Sequence, residues 1–88
     1  MLTSYPVKVE AVVSQNDGSL SVFFDILELD EDEDFSRMST DPVLAYDDYR
    51  KKGKRLELIF KTSRPNLNIG DLVTLNFDQP ESWAEQWR

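Results

Sequence analysis

The stretch Tyr5-Pro6-Val7-Lys8-Val9-Glu10-Ala11-Val12-Val13-Ser14-Gln15-Asn16-Asp17-Gly18-Ser19-Leu20-Ser21-Val22-Phe23-Phe24-Asp25-Ile26 decides the fold. Its first ten residues alternate. Val7, Val9, Ala11 and Val13 fall on one side, Lys8 and Glu10 on the other, the period of a half-buried strand. Asp17-Gly18 tolerates positive φ, so Gln15-Asn16-Asp17-Gly18 is a hairpin turn. The return strand runs from about Ser19 to Leu29, with Leu20, Val22, Phe24 and Ile26 on one face and Leu27 and Leu29 on the other. That change of parity predicts a bulge or bend near Asp25–Leu27, the device by which a small barrel curls one strand through two sheets.

Two more strands follow the same logic. Arg55 to Thr62 places Leu56, Leu58 and Phe60 on one side, and Leu72 to Phe77 points Val73, Leu75 and Phe77 inward, after a turn-rich connection ending in Gly70-Asp71. Between the hairpin and these strands, Thr40-Asp41-Pro42 has the form of a helix start, a capping residue ahead of a proline at the first helical position. The helix is expected from Pro42 to about Lys52, its cations near the negative end, with Gly53 as C-cap. Pro80 to Trp87 is expected to form a short terminal helix with Trp83 and Trp87 at i, i+4. The expected fold is mainly β, in the order β-β-α-β-β: a small OB- or SH3-like barrel with one internal helix over residues 1–79 and a C-terminal Trp-containing tail over 80–88. A two-layer α+β sheet with the helix across one face is the alternative.

Composition narrows the chemistry. The 88 residues suffice for one domain with a small core. Cys and His are both absent, which removes thiol and disulfide chemistry, the usual activator of a serine nucleophile and the commonest metal ligand. With only Gly18, Gly53 and Gly70 there is no glycine-rich phosphate loop. Asp30, Asp32 and Asp34 alternate like the start of a calcium loop. Such a loop needs Gly at its sixth position and Glu at its twelfth, where this chain has Phe35 and Asp41. No catalytic residues, metal site or cofactor are therefore expected. No apolar run reaches the roughly 20 residues of a membrane span, and Met1–Pro6 lacks the pattern of a signal peptide. A cytoplasmic protein of a bacterium or phage is expected.

Charge supplies the functional candidates. Glu28-Leu29-Asp30-Glu31-Asp32-Glu33-Asp34 carries six carboxylates, Arg50-Lys51-Lys52-Gly53-Lys54-Arg55 carries five cations, and the formal net charge is −7. An acidic chain starts with the phosphate-neutralising term against it. The leading expectation is a non-enzymatic protein–protein interaction module: an adaptor, accessory subunit or acidic inhibitor. Its partner-binding residues would be Asp30, Glu31, Asp32, Glu33 and Asp34 of the acidic loop, with Trp83, Trp87 and Arg88 of the tail, residue types that interfaces favour. Self-assembly into a homodimer is compatible with it. The alternative is single-stranded nucleic-acid binding by an OB-like face. It would use Phe23, Arg50, Lys51, Lys52, Lys54, Arg55, Lys61 and Arg64, with Tyr5 and Tyr49 as further aromatics.

Overall fold

The computed structural model describes residues 2–30 and 32–78. In them the chain forms six strands: β1 (Leu2–Ser14), β2 (Leu20–Asp25), β3 (Met38–Asp41), β4 (Asp48–Lys52), β5 (Arg55–Phe60) and β6 (Leu72–Asp78). One turn of 3-10 helix, Phe35–Arg37, precedes β3. All pairings are antiparallel and make one curled sheet, a half-barrel, in the order β3-β6-β1-β2-β5-β4. The fold is mainly β, as the alternation in the sequence implies.

The long first strand organises the sheet. Leu2–Lys8 pairs with β6, and the strand then crosses over so that Val9–Ser14 pairs with β2. The crossover is a bulge between Val9 and Ala11. The extra residue inverts parity: Val7 and Val9 are buried ahead of it, whereas beyond it Val12 packs on the core and Val13 is 41% exposed. The bulge thus lies in β1, and Val13 does not point inward; the expected bend near Asp25–Leu27 is present, but it ends β2 at Asp25 instead of carrying the strand on to Leu29. β2 ends at Asp25 because the Asp25 carboxylate accepts the Leu27 N–H at 3.0 Å and Leu29 N–H bonds Ile26 C=O at 3.1 Å, turning the chain out of the sheet. Across this turn Leu27 is exposed and Leu29 buried.

The concave side of the sheet holds the core. Phe24, Phe60, Phe77, Ile26, Leu56, Leu58, Leu75, Val9, Val22 and Val73 are almost wholly inaccessible. Burying each of the larger ones is worth about 1.5–3 kcal/mol. Apart from Val9 of β1 and Ile26 just past β2, these are the inward positions that alternation assigns to β2, β5 and β6.

No helix forms over Pro42–Lys52, and the two-layer α+β alternative falls with it. The Asp41–Pro42 peptide is cis, residues 43–47 are irregular, and Asp48–Lys52 is the edge strand β4. Long-range partners explain the outcome. Asp47 N–H bonds Ile59 C=O, and the Asp47 carboxylate accepts the N–H groups of Lys61 and Thr62. From there β4 runs in register with β5, Asp48 opposite Ile59 and Lys52 opposite Arg55. Thr40 does cap, since its Oγ1 accepts the Leu44 N–H at 2.9 Å, but it caps a loop rather than a helix. Gly53, with φ +59°, opens the two-residue turn to β5. Lys54 stays at negative φ, as a type II′ hairpin requires.

The two outer strands meet through side chains. The Phe35 ring stacks on Tyr49 of β4 at 6.1 Å and sits edge-on to Phe77 of β6 at 5.2 Å, while the Tyr46 hydroxyl donates to Met38 C=O at 3.3 Å. The C-terminal helix expected at Pro80–Trp87, and Glu31 in the acidic run, lie outside the described residues.

Candidate interaction surfaces

The acidic run is tied to the half-barrel by its flanks. Leu29 and Phe35, which bracket it, are both buried. Asp34 Oδ1 accepts the Ser36 hydroxyl at 2.6 Å and the Ser36 N–H at 3.0 Å, which caps the 3-10 turn and holds the Asp34 carboxyl below the usual carboxylate range. The Tyr5 hydroxyl lies 3.3 Å from Asp30 Oδ2 and 3.2 Å from Glu33 Oε1, and its one proton serves either. Burial, the hydrogen bond to Glu33 and the two negative charges push the Tyr5 phenol up. Glu33 Oε2 is buried without a hydrogen-bond partner. Asp30, Asp32 and Asp34 stay exposed. The carboxylates of Asp30, Glu33 and Asp34 are therefore held by contacts to the surrounding chain.

The basic cluster is spread along the sheet. On β4, parity sends Tyr49 and Lys51 to the inner face and Arg50 and Lys52 to the outer one. The Lys51 Nζ lies 5.5 Å from the Phe35 ring centroid, so the basic strand abuts the end of the acidic run. On the outer face Arg50 is 3.8 Å from Glu57, and Arg55 is 3.6 Å from Glu10. Lys54 occupies the turn. Lys61 lies beyond the far end of β5, where its charge lowers Asp17 and Asp47 after the hydrogen bonds those carboxylates accept from Ser19 and from the Lys61 N–H. Arg64 donates to Gly18 C=O at 2.6 Å. The six-residue step from Arg55 to Lys61 is about 20 Å along a strand, so these cations do not form one patch.

Phe23 does face outward, half-buried, in a lattice defined by strand register. One row is Val13, Ser21, Ile59 and Asp48, the next is Ala11, Phe23, Glu57 and Arg50, and the third contains Asp25, Arg55 and Lys52. The Arg55 guanidinium sits 5.6 Å from the Phe23 ring centroid. Glu57 also accepts the Ser21 hydroxyl at 2.7 Å, and Ser21 in turn accepts the Gln15 amide at 3.2 Å. Arg50, Lys52 and Arg55 are offset here by Glu10, Asp25, Asp48 and Glu57, so the face carries no excess of positive charge. Its ring is already stacked and its arginines already paired.

A groove of about 300 Å³ opens where β2 leaves β1, between Tyr5–Lys8 on one side and Asp25–Leu29 on the other. Its charged lining is Lys8, Glu10, Asp25 and Glu28, with the Asp30–Glu33 pair at the Tyr5 end. The change of parity at Asp25–Leu27 was the one sequence signal for this groove, since it marks where the chain departs from the sheet. The roles of Tyr5 as anchor and Phe35 as closure carried no such signal. Trp83, Trp87 and Arg88 lie outside the described residues.

Among the described residues no group of three or more carboxylates is arranged to hold a metal ion, and no helix is long and apolar enough to cross a membrane. Compared with protein-family models, curated proteins and solved structures, the chain matches none of them.

Proposed function

We propose that this chain is a cytoplasmic, non-enzymatic protein–protein interaction module, an adaptor, accessory subunit or acidic inhibitor, whose acidic face receives a basic region of its partner. The observation that carries the reading is a dense set of exposed carboxylates on an anchored segment. Asp30, Asp32 and Asp34 are exposed between the buried Leu29 and Phe35, and the ion pair of Asp34 with Arg37 at 3.8 Å offsets only part of their charge. Fixed carboxylates meet a cationic partner without the entropic cost of ordering a loop. The unpartnered Glu33 Oε2 supports the same reading, because a donor arriving at the Tyr5 end would satisfy it. Small barrels of the OB or SH3-like kind, to which we assign the sheet, serve as frames for such sites.

The test is an NMR titration of the labelled protein with a lysine decapeptide and, separately, with a mixed-sequence single-stranded oligonucleotide, at low and moderate salt. The peptide is expected to shift amides at Asp30–Asp34, less at higher salt and less in Asp30→Asn/Asp32→Asn, and the oligonucleotide to shift none. Oligonucleotide shifts at Phe23, Arg50 and Arg55 that weaken with salt would replace this reading with the nucleic-acid one.

A further inference from the structure

We propose that the groove between the free edge of β1 and the Asp25–Leu29 turn is the docking site of an extended, basic segment of a partner protein. The inference rests on the interaction-module reading and gives it a location. Val9 bonds toward β6 through both its backbone groups: its N–H to Asp71 C=O at 2.9 Å and its C=O to Gly70 N–H at 2.8 Å. By alternation Val7 and Tyr5 turn to β6 as well, so the N–H and C=O groups of Ser4 and Lys8, with the C=O of Pro6, turn to the opposite edge. β2 has ended by then, at Asp25, and among the described residues no strand pairs with that edge. The groove is thus bordered by backbone groups of β1 that no strand among the described residues takes up. Pro6 gives it only a carbonyl, so its central position accepts and cannot donate.

Two features select the occupant. Leu27, 63% exposed, stands at the rim and offers an apolar contact to alternate side chains of an extended peptide. The lining carries Glu10, Asp25 and Glu28 against Lys8, and the Tyr5 end adds Asp30 and Glu33. Glu10 is shared with Arg55, and Asp25 lies opposite Arg55 in the strand register, so the acidic excess of the groove rests chiefly on Glu28, Asp30 and Glu33. An extended segment alternating cations with apolar residues matches both features: its apolar side chains meet Leu27 and Pro6, its cations meet Asp25, Glu28 and Asp30.

The probe is an acetylated, amidated pentapeptide alternating arginine and valine, titrated into the labelled protein beside a glutamate–valine counterpart. The largest shifts are expected at Ser4, Val7 and Lys8 and at Asp25–Leu29. Affinity is expected to fall about tenfold in Glu28→Lys and in Leu27→Lys, both exposed changes, and to be little altered in Asp32→Asn. Unperturbed spectra of the free variants establish that they fold. Shifts confined to Asp30–Asp34 and insensitive to Leu27→Lys and Glu28→Lys overturn the groove and leave the interaction module standing. Equal binding of the glutamate peptide overturns the charge selection. Absence of shifts with this peptide and with the lysine decapeptide overturns both.

Discussion

Phe35 does with one ring what backbone ladders do elsewhere in the sheet. It is the main ring contact between the β6 side of the half-barrel and β4. Phe35→Ala is expected to cost about 3–5 kcal/mol, the usual range for a buried Phe, read as a lower urea midpoint. Amide exchange should quicken in β4 before β1 or β6, since β4 then keeps only its ladder with β5. Carboxylates set the acid limit. Asp17, Asp34 and Asp47 all have folded pKa values lowered by hydrogen bonds they accept, from Ser19, from Ser36 and from the Lys61 N–H. A lowered folded value contributes stability above the unfolded carboxylate pKa of about 3.9, lost as pH falls through the folded value. Urea midpoints should therefore hold through neutral pH and decline below about pH 4, with a shallower decline in Asp47→Asn. Tyr5 works in the other direction. Its raised value favours the neutral phenol in the folded state, so its contribution is present below the unfolded pKa of about 10 and lost as pH rises through the folded one.

The segment from Pro42 to Gly53 shows what local sequence could not decide. A glycine with positive φ serves equally as a helix C-cap and as the first residue of a type II′ turn. A Thr hydroxyl caps a helix or a loop with the same hydrogen bond. What settles the element is the open side of β5, whose Leu56–Phe60 backbone needs a partner, and the Asp47 carboxylate, which locks the start of β4 to Lys61 and Thr62. The partners of both, β5 with Lys61 and Thr62, lie outside residues 42–53. By contrast β5 and β6 were legible, and β2 as far as Asp25, because each alternates and buries one face. β1 was legible only to its bulge, since one extra residue inverts every position beyond it. The acidic and basic runs were obvious as composition. Their meeting at Phe35 and Lys51 was not, because it depends on which strands end the sheet. Gly53→Ala tests the turn. No atom lies within 4 Å of the added Cβ, so the penalty is conformational alone, about 1–2 kcal/mol in a urea titration. Gly53→Asn should cost less, because Asn visits positive φ more readily.

At the scale of the molecule, the sheet must present edges without recruiting other chains. β3 has four residues, β4 five with Arg50, Lys51 and Lys52 among them, and the free portion of β1 carries Pro6 and Lys8. Short strands, lysines and proline are the means by which edges resist pairing. Part of the basic cluster thereby has a structural role that needs no ligand. Pro6→Val restores a donor at the middle of the β1 edge. Sedimentation at several concentrations is expected to show greater self-association than in the parent chain. The net charge of −7 opposes association through mutual repulsion, so salt should enhance the effect.

The pairing of Leu2–Lys8 with Leu72–Asp78 also bears on how the protein is made. During synthesis the first strand emerges with half of its partners still unwritten. Until β6 leaves the ribosome, Tyr5 and Val7 lack their strand neighbour and β3 lacks a sheet to join. The β1–β2 hairpin can form early, but no smaller unit has a closed core. The nascent chain must therefore wait nearly to residue 78 before it gains protection from proteases, and then gains it in one step.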